Sequence, residues 1–493
     1  MKIALLPLDE RPANTRYPRM VAAIGGHELR LPPADLLSRY RQPGRCDALA
    51  AWLDEQAAAC DALLVSCEML AHGGLIASRI SDEPAAAALA RLEALRAIRA
   101  RHPRLTIYGL NVIMRVSRHN NAAEEPPYWA EHGAQMYHLS QLMHRAELGQ
   151  GVSAELAQAR AALPAEIIKD FVARRHRGHL LNRAALQLLA DGVFDTLVLS
   201  SDDTSPYGLP AREKRLLARR AELLAVGERL LMYPGADEVA AVLVARLLNR
   251  AAGRAPSFQP VYLLPSGGDS VAPFEDGPVA TTVERQVQAA GGRLTAAGPA
   301  DVLLFVHPPL APDAEWVGDY PEDAYPAGHR AELLAGAARL HEALAQRQPA
   351  ALADVAYANG ASHTLLRTLA QQGDLLDLAA FGAWNTAGNS IGTVVAQACA
   401  ALGGDTAANR RFLAHRLAED WGYQTVVRHD LRAHLRQTTG SSEPAPASLV
   451  EIAAWTAARL NAFLAEQQLP CRLDAVTLPW GRTFEVDFDV TCP

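Results

Sequence analysis

Three acidic clusters each close a short apolar run: Asp9-Glu10-Arg11 after IALLPL, Asp202-Asp203 after TLVLSS, and Asp237-Glu238 after LLMYPGA. A fourth polar cluster, Trp384-Asn385-Thr386 with Asn389, follows LAAFGA. Neighbouring carboxyl groups can move protons, and cleavage of a glycosidic bond uses one as the acid and another as base or nucleophile. Asp9, Glu10, Asp202 and Asp203 are therefore the candidate acid–base pool. Amide and hydroxyl side chains donate and accept hydrogen bonds without net charge, which suits a polyol. The candidate substrate-binding residues are Arg11, Glu68, Arg79, Arg115, Asp237, Glu238, Asn359, Trp384, Asn385 and Asn389.

The surroundings of each cluster refine these roles. In Pro7-Leu8-Asp9-Glu10-Arg11-Pro12 the two prolines stiffen the turn that carries the charges, and an Arg11 salt bridge is the structural alternative. The run Ser66-Cys67-Glu68 through His72-Gly73-Gly74 to Arg79 has paired glycines that would let backbone N–H groups approach a ligand, but it lacks a Gly-Lys-Ser/Thr ending and is neither a Walker loop nor a dinucleotide fingerprint. Around Glu124, Glu125, Tyr128 and Trp129, aromatics beside carboxylates suit sugar stacking. A helix start with Trp129 packed inward competes with that reading. Asp237 is equally suited to capping the helix that follows it. In Asp354 to Ala361 and Gly382 to Gly392, Asn359, Asn385 and Asn389 lie where strands are expected to end.

Apolar runs bounded by turn residues read as buried parallel strands, whose carboxyl ends carry ligand sites in open α/β sheets. Strands are expected at 2–7, 27–31, 62–67, 105–111, 195–200 and 229–233, with helices rich in Ala, Leu and Arg between most of them. After a linker-like AAGRAPSFQP ending near Pro260, a second set follows in VYLLPS, DVLLFVHP, ALADVAY and LAAFGAW. The fold class is α/β, with largely parallel, Rossmann-like sheets in two lobes and a helical C-terminal region. Domains are expected at 1–255 and 256–404, followed by a helical region at 405–493 that closes with the hairpin VTLPWGRTFEVDFDV. No internal sequence repeat is evident.

With 493 residues the chain is too long for one ordinary core, and 49% hydrophobic against 20% charged residues excludes disorder as the main state. A formal charge of −7 leaves no basic footprint for nucleic acid. Arg174-Arg175-His176-Arg177 reads as a solvated helix face. No run is long enough to span a bilayer and no cationic leader precedes the first strand, so a cytoplasmic protein without a membrane partner is expected. Six cysteines without a Cys-x-x-Cys pair are expected to be reduced, mostly buried thiols.

Together PLDERPAN, SCEMLAHGGLIASR, SSDDTSPYG, PGADE, DVAYANGA and AWNTAGNSIG resemble a bacterial family known as domain of unknown function 4127. The resemblance runs from the first strand to about residue 430 and includes Glu419-Asp420-Trp421 and Tyr423-Gln424. It implies aspartate where this chain has Glu10 and Glu68, so charge is kept on a longer side chain. The family brings no activity with it, and function is read from the site. A glycoside hydrolase or related carbohydrate-active enzyme, acting on a small-molecule or oligosaccharide substrate without a cofactor, accounts for the carboxylates and amides. The alternatives are a metal-dependent hydrolase or lyase of a small polar metabolite and a non-catalytic sugar-binding protein. In the former, Asp9, Asp202, Asp203 and Asp237, with His307 or His363, would ligate a divalent cation such as magnesium or manganese. The helical C-terminal region is read either as a cap or as an interface in a homo-oligomer.

Overall fold

The computed structural model describes residues 1–296, 298–309, 327–373 and 375–492. The chain forms two compact units that exchange segments: Met1–Glu10, His27–Ala240 and Phe274–Asp276 make the first, and Arg11–Gly26, Ala241–Pro273 and Gly277–Pro493 the second.

The first unit is built on six parallel strands, β1 (Lys2–Leu6), β2 (Glu28–Arg30), β3 (Ala62–Ser66), β4 (Thr106–Ile113), β5 (Thr196–Ser201) and β6 (Leu230–Pro234), in the order β2-β1-β3-β4-β5-β6. Every residue of β3 and β5 is buried. Helices on the faces of a parallel sheet leave its strands little polar surface to show, which is why these strands are continuous apolar runs. Leu181, Leu186 and Leu189 of the helix Ala165–Ala190 share one core with Ile107 and Ile113 of β4 and Leu197 and Leu199 of β5.

In the second unit, β7 (Ser257–Tyr262), β8 (Arg293–Leu294), β9 (Val302–His307), β10 (Ala350–Asp354) and β11 (Ala380–Gly382) form a parallel sheet in the order β11-β10-β9-β7-β8. Counted within each sheet, both follow the order second, first, third, fourth, fifth, the flavodoxin-like arrangement. A common topology therefore exists without any sequence repeat to signal it.

The strand expected at VYLLPS begins earlier, at Ser257, so SFQP is strand and not linker. Pro260 is tolerated because β8 pairs only with Ser257 and Phe258, which leaves the rest of β7, among the described residues, with one unpaired side where a missing N–H costs nothing. Beyond residue 405 the chain is helical as expected, with a π-helical segment, Leu417–Val427, joining Thr406–Arg416 to Arg428–Thr439. The closing hairpin pairs β12 (Arg472–Thr477) with β13 (Asp487–Thr491).

That hairpin corrects the cysteine expectation. Arg472 lies opposite Thr491, so the flanking Cys471 and Cys492 are placed side by side and form a disulfide, with Cα atoms 4.3 Å apart. Cys46, Cys60, Cys67 and Cys399 are thiols. Burial pushes the Cys67 thiol upward, so it is a poor nucleophile. Among the described residues no helix is long and apolar enough to cross a membrane.

Candidate functional site

In the first unit the carboxyl ends of β4 and β5 hold an ion-pair network. Asp202 and Asp203 leave β5 on a tight turn in which Asp203 takes a positive φ of 39°, a backbone region that Asp tolerates better than most residues. Arg79, from the short helix Leu75–Ile80, donates to Asp202 through one terminal nitrogen and to Glu124 at 2.9 Å through the other. Arg115, just beyond β4, reaches Glu124 at 2.9 Å, Glu125 at 3.1 Å and Asp203 at 2.9 Å. Two guanidiniums thus organise four carboxylates, and the side chains of Asp202 and Asp203 keep 14% and 26% of their surface exposed.

The electrostatics follow from this packing. Burial, then the adjacent Asp202 carboxylate, push Asp203 up to about 6 against the pull of Arg115 and Arg79. Burial alone would lower Arg115, but Glu124, Asp203, Glu125 and Asp202 outweigh it and hold the guanidinium well above its usual range. Glu68, 1% exposed, is pushed by burial up to about 7, opposed by Ser78, Arg177 and Arg79.

The run Arg174 to Arg177 is not the solvated face expected. Arg175 and Arg177 are buried, because they hold the backbone that carries the two site arginines. Arg175 donates to the carbonyls of Met114 (2.9 Å) and Arg115 (3.0 Å) while forming a two-pronged pair with Glu213 at 2.8 and 2.7 Å. Arg177 donates to the carbonyls of Ser78 (2.9 Å), Ser81 (2.6 Å) and Glu83 (3.0 Å), around Arg79. Across the Asp202 loop, Thr204 N–H donates to the Phe274 carbonyl at 2.9 Å, and Lys214 pairs with Asp276 at 2.7 Å.

The remaining candidates of this unit lie elsewhere along the sheet. Asp9 is buried at the end of β1, and Glu10 accepts from the Ser38 hydroxyl and, at 2.6 Å, from Tyr40 N–H. β3 and β4 separate β1 from β5, so the ends of those strands are roughly 14 Å apart at about 4.8 Å per strand. That exceeds the roughly 5 to 9.5 Å between the two carboxyls of a glycosidase. Asp237 and Glu238 are buried before the helix Val239–Ala251, and the Glu238 carboxylate folds over Gly235, where a Cβ would lie 2.2 Å from it. The expectation that Gly73 and Gly74 open the backbone to a ligand is corrected: Gly73 ends a helix at φ 79°, and its carbonyl accepts from Gly44 N–H at 2.8 Å. A Cβ there would meet the Gly44 backbone at 2.5 Å, so the glycine serves chain packing. Trp129 is likewise no stacking platform, since it is 2% exposed and packs on Phe171.

The second unit gathers its own polar groups at the carboxyl ends of β9, β10 and β11. His307 and Asp354 face each other in register and bond at 2.8 Å, and Asp354 also accepts from Ser362 N–H at 2.7 Å. Asn359 N–H donates to the Asn385 carbonyl at 2.8 Å, Asn389 donates to Thr386 at 3.1 Å, and Trp384 is buried against Phe484. From the π-helical segment, Asp420 accepts from Ala383 N–H and from Arg416, both at 2.6 Å, fixing the turn after β11. Arg11 pairs with Glu485 at 4.0 Å and lies over Trp480, and His363 accepts from Trp421 at 2.8 Å. Among the described residues no group of three or more His, Cys, Asp and Glu side chains is placed to hold a metal ion.

The family described as a protein of unknown function, DUF4127, matches residues 3–489, essentially the whole chain. The chain belongs to that family. No curated protein and no solved structure matches it. For this DUF4127 chain, site chemistry therefore carries the functional argument alone.

Of the residues the sequence singled out, Arg79, Arg115, Asp202 and Asp203 are brought together in one network, whereas Asp9 and Glu10, expected in the same acid–base pool, lie apart. The sequence reading named Glu124 and Glu125 only as neighbours of aromatics and missed Arg175, Arg177 and Glu213 as supports. The signal for the two arginines was an arginine-rich stretch on a helix that also carries a buried leucine face, because a helix with so much apolar surface brings its interspersed arginines into the interior.

Proposed function

We propose that this protein is a glycoside hydrolase, or a closely related carbohydrate-active enzyme, whose acid–base centre is the Asp202–Asp203 pair. The observation that supports it is two consecutive carboxyls at a parallel-strand end, each held by a different arginine, with Asp203 keeping a proton up to about pH 6. Environments that push neighbouring carboxyls apart assign the acid and base roles. Asp203 gives its proton to the glycosidic oxygen as the bond to the anomeric carbon breaks. Asp202, held ready by Arg79, takes a proton from the attacking water, whose oxygen bonds to that carbon. Glu124 and Glu125 keep both guanidiniums in place and accept hydrogen bonds from substrate hydroxyls. A cytoplasmic setting belongs to this reading, although a Cys471–Cys492 disulfide is of the kind that oxidising compartments preserve.

A panel of nitrophenyl glycosides and oligosaccharides tests the proposal. Asp203→Asn and Asp202→Asn should each lower kcat on a responsive substrate by about 10² to 10⁴ without comparable loss of fold, the usual range for a positioned acid or base. Full turnover by the double variant would refute it, and loss of wild-type turnover on chelation would favour the metal-dependent alternative.

A further inference from the structure

In the second unit a cleft of about 510 Å³ is walled by the helices His363–Gln372 and Leu449–Glu466. His363, Arg367 and Gln371 line it from the first helix, and their spacing of four puts them on one face. Phe463 and Glu466 line it from the second, joined by Gln467 and Gln468 just past the helix end and by Val426 of the π-helical segment. The volume falls within the roughly 300 to 1,000 Å³ of small-molecule sites.

Two opposite charges share this cleft without meeting. Among the described residues Arg367 and Glu466 form no ion pair, with each other or with any third group, and the side chains of Gln371, Gln467 and Gln468 make no hydrogen bond. A separate observation concerns Glu466 and its own helix. It is the last residue of Leu449–Glu466, where the dipole favours a cation, and the last turn holds no basic residue. A positive group from outside the chain would answer both the carboxylate and the helix end. Phe463 and Val426 supply an apolar surface, with Phe463 held by an edge-on contact to Trp421 at 4.9 Å. The Trp421 indole N–H also donates to His363 Nδ1 at 2.8 Å, which fixes that ring in the opposite wall.

We infer that this cleft binds a short peptide with free termini, its carboxylate on Arg367, its ammonium on Glu466 and an apolar side chain on Phe463 and Val426. A ligand of one charge would answer one wall and desolvate the other without a partner, and a neutral sugar would do so to both. A zwitterion answers both, and the planar guanidinium can take a carboxylate through two parallel bonds. The failure of Arg367 and Glu466 to pair bears on the ligand's length. A free amino acid carries its two charges on one Cα, whereas each further residue separates them by up to about 3.6 Å. Glutamine amides both donate and accept, so the three of them complement the N–H and C=O of a peptide link. This site is independent of the glycosidase reading.

Calorimetry and ligand-observed NMR on the full chain test this with leucyl-leucine, its N-acetyl form, its C-terminal amide and leucine. The free dipeptide should bind about tenfold or more tightly than either capped form, and that preference should shrink at high salt because it is electrostatic. Arg367→Gln should bind the free dipeptide no better than the amide, and Glu466→Gln should bind it no better than the acetylated form. Both side chains are exposed, so both variants should keep the wild-type circular dichroism and melting temperature. Leucine binding as tightly as leucyl-leucine would overturn the assignment to a peptide. Equal binding of free and capped dipeptides, binding that either variant leaves unchanged, or no saturable binding of leucyl-leucine up to about 10 mM would overturn the inference as a whole.

Discussion

Replacing Arg115 by Met should raise the Asp203 pKa further above about 6. In the wild type two influences push that carboxyl up, burial and Asp202, and Arg115 at 2.9 Å is the first of those that pull it down. Two unit charges about 4 Å apart interact by about 4 kcal/mol at an effective dielectric near 20. At about 1.4 kcal/mol per pKa unit this caps the shift at roughly 3 units, and pairs of this kind usually contribute about 1 to 3. Removal of Arg115 also leaves Glu124 and Glu125 without one of their cations, which acts in the same direction. Carbon-13 NMR of labelled aspartate carboxyls, with the Asp203 signal assigned through Asp203→Asn, measures the midpoint directly and needs no substrate. Arg115→Lys keeps the charge and should move the midpoint by less than Arg115→Met. A midpoint that stays near 6 in Arg115→Met, or falls, would show that the network does not control Asp203 as reasoned.

Arg175→Met should destabilise the protein by about 3 to 5 kcal/mol, because it strands the buried Glu213 carboxylate, and Arg175→Met with Glu213→Leu should recover part of that in urea denaturation. Glu68 has a folded value of about 7 against an unfolded value of about 4.3, so the folded state binds the extra proton; its contribution is complete below about pH 4 and lost as pH rises toward 7. Wild type should therefore lose up to about 3 kcal/mol relative to Glu68→Gln between pH 4.5 and 8, and parallel curves would contradict the assignment. Cys471→Ser opens a loop with a sequence separation of 21 and should cost about 3 kcal/mol in non-reducing thermal denaturation, with no further effect of reductant on the variant.

The strands were legible because parallel sheets covered on both faces force continuous apolar runs, and the six expected in the first unit lie within one or two residues of those observed. The two-residue β8 was not, since Arg293 and Leu294 are both exposed and present no apolar pattern. Site residues were legible where charge interrupts an apolar run, as at Asp202 and Asp203. They were obscure where burial overrides residue type, as at Arg175 and Arg177. A buried arginine is stable only when its N–H groups are met, and here many of the partners are backbone carbonyls of Ser78, Ser81, Met114 and Arg115. Carbonyl partners leave no mark in a sequence, because every residue carries one. The disulfide was hidden for a related reason: Cys471 and Cys492 become neighbours only once Arg472 is set opposite Thr491, a register that depends on hairpin geometry and not on cysteine spacing. In this chain the groups that perform chemistry can be read from residue type, whereas those that hold them depend on backbone geometry and emerge only with the fold.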